Sequence, residues 1–302
     1  MKVNGDPNIE KDEIRRAVAL ARDQRPAYSY LYDFLEALFV ASAEIGSRLR
    51  IEIPFIENNL AITRWEGGLP LLNRWDFPID TAAAEDLLIS IEKAIPEANP
   101  QLANAYESLK HSIAAHSKHS REFWNSFLHH EMEPWEEWLD IDSATDLASV
   151  LFLVRSATKP SLELTSRRLL ETHILPPSWI KGYCPVCGSL PALLYIHGEG
   201  TRKAFCSWCA TMWNIQRLQC PYCENRDHTS LGYIGIEKEP QNRVVYCNLC
   251  RFYFKQIDIR ELAYAPYLPL EEWTTLHLDL LALKTGWRQP PSPAPAIYSK
   301  VE

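Results

Sequence analysis

The 302 residues are 46% hydrophobic and 23% charged, with a formal charge of −8. That is the balance of a globular chain long enough for one large or two modest cores. The acidity is uneven: residues 181–260 hold ten Lys/Arg against six Asp/Glu, a surplus of +4, while the rest holds 21 against 33, or −12. An acidic body is a poor match for a phosphate backbone, so no nucleic-acid partner is expected. The opening Met1-Lys-Val-Asn-Gly-Asp-Pro-Asn lacks the apolar run of a secretory signal. No stretch approaches the about 20 apolar residues that span a bilayer, the run 35–40 already being interrupted by Glu36. The expectation is a cytoplasmic protein without membrane insertion, in which reduced thiols favour metal over disulfides.

In chain order, residues from about 9 to 175 read as helix after helix. Ile14, Ala17, Val18 and Ala21 share one face of a helix that stops before Pro26. Leu31, Phe34, Leu35, Leu38 and Phe39 give the next helix a wide apolar face as far as Leu49. The stretch 54–78, with Gly67-Gly68, Trp65-Glu-Gly-Gly-Leu-Pro and Trp75-Asp-Phe-Pro, reads as irregular but too apolar for a solvated loop, hence as a packed crossover. Asp80 or Thr81 can cap a helix with Leu87, Leu88 and Ile91 inward. Asn99-Pro100 opens one carrying Leu102, Tyr106, Leu109 and Ile113. A helix with Phe123, Trp124, Phe127 and Leu128 follows. Asp142-Ser143 opens another with Leu147, Val150, Leu151 and Val154, and Pro160 starts the last. About seven helices make an N-terminal all-α bundle over residues 1–175.

Every cysteine then falls within 67 positions: Cys184-Pro-Val-Cys187, Cys206-Ser-Trp-Cys209, Cys220-Pro-Tyr-Cys223 and Cys247-Asn-Leu-Cys250. A C-x-x-C unit places two thiolates on one tight turn, and two such turns facing each other complete a tetrahedral S₄ cage for Zn²⁺ or iron. The segment is a duplication. Cys184-Pro-x-Cys187 answers to Cys220-Pro-x-Cys223, each followed by a β-prone run ending in Tyr-Ile. Phe205-Cys206-x-x-Cys209 answers to Tyr246-Cys247-x-x-Cys250. Each unit reads knuckle, strand, turn, strand, knuckle, strand, the layout of a zinc ribbon or rubredoxin.

The repeat favours sequential pairing: Cys184, Cys187, Cys206 and Cys209 around one metal, and Cys220, Cys223, Cys247 and Cys250 around the other. Interleaved pairing would break the symmetry. Two metal ions, Zn²⁺ or Fe (Fe²⁺/Fe³⁺), are therefore expected, in a first ribbon over 176–218 and a second over 219–262. Two zinc–tetrathiolate sites would bring the segment's surplus of +4 to about zero. The region 263–302 reads as a helix over 270–285, with Trp273, Leu276, Leu280 and Leu283 apolar and Gly286 as its cap, then a proline-rich tail. The fold class is thus multidomain α plus small β.

A helical N-terminal part, the Cys184-Pro-Val-Cys187-Gly188-Ser189 opening, three further C-x-x-C units and a Leu276-x-Leu278-Asp279-x-Leu281 helix resemble the formate dehydrogenase accessory protein family, FdhE. The Trp65-Glu-Gly-Gly-Leu-Pro stretch is similar to that family too. The likeness covers about residues 10 to 288. One departure lies at the C-terminus, where the family ends Gly-Tyr-x-Arg and a short Asn-Pro-Phe-type element; here Gly286-Trp287-Arg288 runs into the proline-rich tail. The resemblance implies a cytoplasmic maturation factor and not an enzyme. Its protein partner would be the formate dehydrogenase catalytic subunit, bound before twin-arginine export, and its cysteine pairs would hold iron or zinc. All eight ligand positions match.

Other features weigh less. His111, His116 and His119, then His129-His130, lack a carboxylate at ligand spacing and read as a solvated face; His197 and His228 read as loop residues beside eight cysteines. Glu133, Glu136 and Glu137 around Trp135 and Trp138 read as an exposed helix end. No Gly-rich phosphate loop, nucleophile elbow or H-E-x-x-H occurs. Two alternatives stay open: a redox protein with rubredoxin-like iron, and a nucleic-acid-binding ribbon. The second would use Arg217, Arg226, Arg243 and Arg251 beside aromatic residues.

Overall fold

The computed structural model describes residues 7–95, 99–128, 146–262, 264 and 266–291. His129-His130, the Glu133–Trp138 cluster, the Asp142-Ser143 cap and the tail from residue 292 lie outside them. The chain divides into two compact units. One comprises residues up to Pro54 with Arg74–Thr165; the other comprises Phe55–Asn73 with the chain from Ser166 onward.

The first unit is helical. Helix α1 (Pro7–Gln24) packs on α2 (Ser29–Arg48), burying Ile14, Val18, Phe34, Leu35 and Leu38. Tyr32, completely buried, donates its hydroxyl to the Ala21 and Arg25 carbonyls at 2.8 and 3.0 Å, capping the end of α1. In the second unit, α3 (Asn58–Glu66) is a helix where the sequence reads as irregular. Back in the first unit, Asp80 caps α4 (Thr81–Ile91) through the Ala83 amide at 3.0 Å. Asn99 likewise caps α5 (Pro100–Ala115) through Leu102 at 3.1 Å. The short α6 (Ser120–Ser126) buries Phe123 and Trp124.

Pro160 does not begin a helix. It sits inside α7 (Leu147–Thr172), a continuous 26-residue helix. Proline ordinarily breaks a helix by removing one N–H and crowding the preceding turn. Here the flanking Ala157, Thr158, Ser161 and Leu162 are all buried, and a Cβ added at Gly46 of α2 would lie 4.0 Å from the Pro160 ring. Tertiary packing on a glycine opposite the ring carries the helix across. The visible cap is Asp146, whose carboxylate accepts from the Ser149 amide at 3.1 Å and from its hydroxyl at 2.6 Å.

The second unit is built on one six-stranded mixed sheet. Its strands are β1 (Leu193–His197), β2 (Thr201–Phe205), β3 (Met212–Asn214), β4 (Leu231–Ile236), β5 (Glu239–Cys247) and β6 (Tyr253–Asp258). The order is β3-β2-β1-β6-β5-β4, so each ribbon contributes three antiparallel strands. The seam is parallel, β1 on β6, with Leu194, Tyr195 and Ile196 opposite Gln256, Ile257 and Asp258. The first strand of one repeat therefore meets the third strand of the next, and the duplication is joined head to tail. Leu193, Tyr195, Phe205 and Ile257 form a core across that seam.

The C-terminal helix expected over 270–285 is broken in two, α8 (Leu268–Thr274) and α9 (Leu276–Lys284). Thr275 closes the first by turning its hydroxyl onto the Glu271 carbonyl at 2.6 Å, a local bond that competes with the helix ladder. The break also rotates the buried face. Leu278 and Ala282 pack on Val244, Tyr253 and Trp287, whereas Leu280 and Leu283 are exposed. Asp279 docks α9 on the sheet, accepting from the Tyr253 hydroxyl and the Lys255 ammonium of β6, each at 2.9 Å. The Lys255 side chain is only 7% exposed, so its charge depends on that carboxylate and on the Glu272 carbonyl at 2.7 Å. Asp279→Asn is expected to lower unfolding stability by about 2 kcal/mol, read as a shifted urea midpoint with an unchanged slope. A shift too small to resolve would show that the pair does not hold the helix.

Candidate metal centres

The two cysteine quartets come together as the repeat predicts. Cys184, Cys187, Cys206 and Cys209 form one group and Cys220, Cys223, Cys247 and Cys250 the other, in both cases with all four sulfurs within 4.8 Å of one another. In the first, the Sγ atoms of Cys184 and Cys209, Cys187 and Cys206, and Cys187 and Cys209 are 3.6, 3.6 and 3.5 Å apart. In the second, Cys220–Cys250 and Cys223–Cys247 both measure 3.7 Å. Disulfide sulfurs would lie at about 2.05 Å. A tetrahedron with metal–sulfur bonds of about 2.3 Å has edges of about 3.8 Å, so the donor set and spacing fit a Zn²⁺ or iron tetrathiolate.

All four knuckles share one backbone device. The residue after each C-x-x-C pair has a left-handed φ: Gly188 at 75°, Ala210 at 57°, Glu224 at 57° and Arg251 at 65°. Its amide bonds back to the first cysteine's carbonyl: Gly188 to Cys184 at 2.9 Å, Ala210 to Cys206 at 2.9 Å, Glu224 to Cys220 at 3.1 Å and Arg251 to Cys247 at 2.9 Å. The first cysteine's own amide reaches five residues on, to the carbonyls of Ser189, Thr211, Asn225 and Phe252 at 2.8 to 3.1 Å. The loop is thus closed at both ends. Only Gly188 advertised the bend in sequence; an alanine, a glutamate and an arginine accept it elsewhere.

The first cage is sealed, with all four cysteines at most 1% exposed, whereas Cys223 and Cys250 of the second are half-buried. Polar contacts reach the first cage's sulfurs: the Val186 amide to Cys184 at 3.4 Å, the Ser189 hydroxyl to Cys187 and the Thr211 hydroxyl to Cys209, both at 3.1 Å. Burial pushes the Cys184 and Cys187 thiols well above the usual range, and crowding by their neighbours adds to it. Burial opposes ionisation of Cys206 as well, but hydrogen bonds from Cys184, Cys187 and Cys209 hold it well below that range. Burial raises Cys223 to about 11. The Cys184 and Cys187 thiols thus hold their protons, and metal binding would release them.

Sequence reasoning missed two braces on these cages. The first is the stretch 55–73. Trp65 donates its indole N–H to the Pro185 carbonyl at 3.0 Å, the Leu71 and Leu72 amides donate to Pro185 and Val186 at 2.9 and 3.0 Å, and Tyr183 donates to the Gly68 carbonyl at 2.6 Å. The packed crossover is real, but its partner is the first knuckle. The second brace is Gly286-Trp287-Arg288. Trp287 stacks on Tyr246 at 4.1 Å beneath the Arg251 guanidinium at 4.2 Å, and the Arg288 backbone bonds both Arg251 and Tyr253 at 3.1 Å.

The histidines take no part. His116 bonds the Ser112 carbonyl at 2.9 Å and stacks on Phe123, while His197 and His228 are exposed; among the described residues no histidine joins a metal-competent cluster. Of the four arginines considered for nucleic acid, Arg217 and Arg243 line one cavity, whereas Arg251 covers Trp287. No helix among the described residues is long and apolar enough to cross a membrane.

A helical unit followed by two Cys₄ cages on a shared sheet defines a paired-ribbon metal-binding class. Within it, residues 183–217 match the family model described as "FdhE, central domain". The chain is 37% identical over 114 residues to a protein FdhE homolog of Aquifex aeolicus, covering 36% of this chain and 40% of that one. A homolog of Haemophilus ducreyi is 26% identical over 271 residues, covering 88% and 80%. The crystal structure of the FdhE protein from Pseudomonas aeruginosa has the same fold, with a TM-score of 0.61 at 19% identity over 98% of each chain. The resemblance read from the cysteine framework is borne out: the chain is a relative of the FdhE proteins.

Two experiments test the geometry. Because the second cage is the more open, a chelator should remove about one metal equivalent quickly and the other slowly, with Cys223 and Cys250 the first thiols to label. Equal rates would contradict the asymmetry. Gly182, ahead of the first knuckle, lies so close to Pro221 of the third that any Cβ would clash with the Pro221 backbone. Gly182→Ala should therefore weaken metal retention in the second cage while the first keeps its equivalent, as read by metal analysis after dialysis.

Proposed function

We propose that this chain is an accessory factor for formate dehydrogenase, binding the catalytic subunit in the cytoplasm before twin-arginine export, and that it is not itself an enzyme. The observation that carries this reading is the match of the FdhE central domain to residues 183–217, the stretch that contains the whole first cage. The second cage, built by the same backbone device, supports a framework of two metal ions.

Cys184, Cys187, Cys206 and Cys209 would hold one metal and Cys220, Cys223, Cys247 and Cys250 the other. Zinc would supply a purely structural cross-link, iron a one-electron couple as well. The chain's own part is to fix the sulfurs: closed knuckles set their spacing and the two braces pin the first and fourth turns. At about 10–16 kcal/mol per structural site, metal would provide much of the folding energy of a unit this size. The half-buried Cys223 and Cys250 favour the second cage for any electron exchange or thiol chemistry, which is the redox form of the reading.

The deciding experiment pairs anaerobic metal analysis with function in cells. About two metals per chain, colourless for zinc or bleaching on reduction for iron, are expected. Deletion of the gene should abolish formate dehydrogenase activity without changing transcript levels, and the wild-type chain, but not Cys184→Ser/Cys187→Ser, should restore it. Unchanged formate dehydrogenase activity in the deletion strain would refute the accessory role.

A further inference from the structure

Beside the second cage the sheet carries a cavity of about 350 Å³, walled in part by Cys220 and Cys247. Its charged side chains are mostly basic: Arg202, Arg217, Arg243 and Arg260 against the carboxylate of Asp258, with the cage thiolates of Cys220 and Cys247 adding negative charge once a metal is bound. Arg260 satisfies both oxygens of that carboxylate, from Nε at 2.8 Å and Nη2 at 2.7 Å. Arg202, only 6% exposed, bonds neutral acceptors: the Gln256 side-chain oxygen at 3.0 Å and the Gln216, Arg217 and Gln219 carbonyls at 3.3, 3.2 and 2.9 Å. Arg243 lies over the Tyr233 ring at 5.3 Å, and its longest reach is to the Pro240 carbonyl at 3.5 Å. The Arg217 side chain is exposed and makes no ion pair among the described residues. Arg202 and Arg217 therefore face the cavity without a carboxylate of their own among the described residues, and Arg243 shares the field of Asp258 with Arg260, which holds both of its oxygens.

Gln219 adds an independent sign. It lines the same cavity, is 1% exposed, and neither its amide nitrogen nor its oxygen has a hydrogen-bond partner among the described residues. A buried amide left unpaired on both atoms is costly and is usually explained by something that pairs with it. It offers a donor and an acceptor side by side. Guanidinium groups are the side chains best shaped for phosphate and carboxylate oxygens.

We propose that this cavity binds a small oxyanion, a phosphate or carboxylate group on an organic body with a hydrogen-bonding edge. Arg217 and Arg243 meet the oxyanion, Arg202 supplies charge from behind, and Gln219 pairs with the body. The volume suits a small molecule. The site is independent of the accessory role, since it rests on the sheet and its arginines and not on any protein partner.

The test is calorimetric titration of the full metal-loaded chain with inorganic phosphate, adenosine monophosphate and N-acetylaspartate. One of the two organic anions should saturate a single site and bind at least about tenfold more tightly than inorganic phosphate. The winner distinguishes a phosphate source from a carboxylate source. Arg217→Gln/Arg243→Gln, at surface-accessible positions, should weaken that binding at least about tenfold with metal content unchanged. Gln219→Leu should erase the preference over inorganic phosphate without altering phosphate binding itself. Failure of all three probes to saturate at millimolar concentration would overturn the proposal, as would undiminished binding by the double arginine variant.

Discussion

The metal-bearing unit depends on one backbone constraint, the left-handed residue that closes each cysteine turn. Without it the chain leaving the second cysteine would not turn back, the first cysteine's carbonyl would lose its amide, and paired sulfurs would not converge. For an L-residue with a Cβ this conformation costs roughly 1–2 kcal/mol, and Ala210, Glu224 and Arg251 all accept it. That three non-glycine residues are held there shows how far the surrounding bonds determine the turn. Glu224 is held further by its ion pair with Lys181 at 3.0 Å, and Arg251 by the Trp287 ring.

From those turns the sheet follows. The second and fourth knuckles sit at strand ends, after β2 (to Phe205) and β5 (to Cys247), so fixing those turns fixes where these strands stop and where β3 and β6 begin. The parallel β1–β6 seam then makes the two ribbons one body with a common core. A ribbon of this size, alone, is too small for a sufficient core. Joined head to tail and covered by α9, the pair buries Leu193, Leu194, Val244 and Ile257 completely.

How much of this was legible in sequence depended on whether the signal was local. The capping residues Asp80 and Asn99, the helices α1, α2, α4, α5 and α6 and the cysteine quartets all rest on short-range spacing, and each is found where the pattern places it. The losses are tertiary with one local exception, the break at Thr275. Pro160 looks like a helix start because the glycine opposite it is more than a hundred positions away in sequence. The break at Thr275 is set by one hydroxyl, and it turned the expected Leu280–Leu283 face outward. The clasp of residues 55–73 on the first knuckle and the parallel seam between repeats have no sequence period at all. The arginine cavity was glimpsed only as scattered basic residues; Arg202, Gln219 and Asp258 join Arg217 and Arg243 only when the strands fold together.

The clasp also imposes an order of events on a growing chain. Trp65 is synthesised long before its acceptor Pro185, 120 positions later, and loop closure over such a span has a substantial entropic cost. The stretch 55–73, with Phe55, Leu60 and Ile62 exposed, must wait while all of 74–165 is made. It can settle only on a knuckle that has already formed. Closure of an early segment thus reports on the completion of a late one, and a nascent chain that has not assembled its first cage is left visibly unfinished near its beginning.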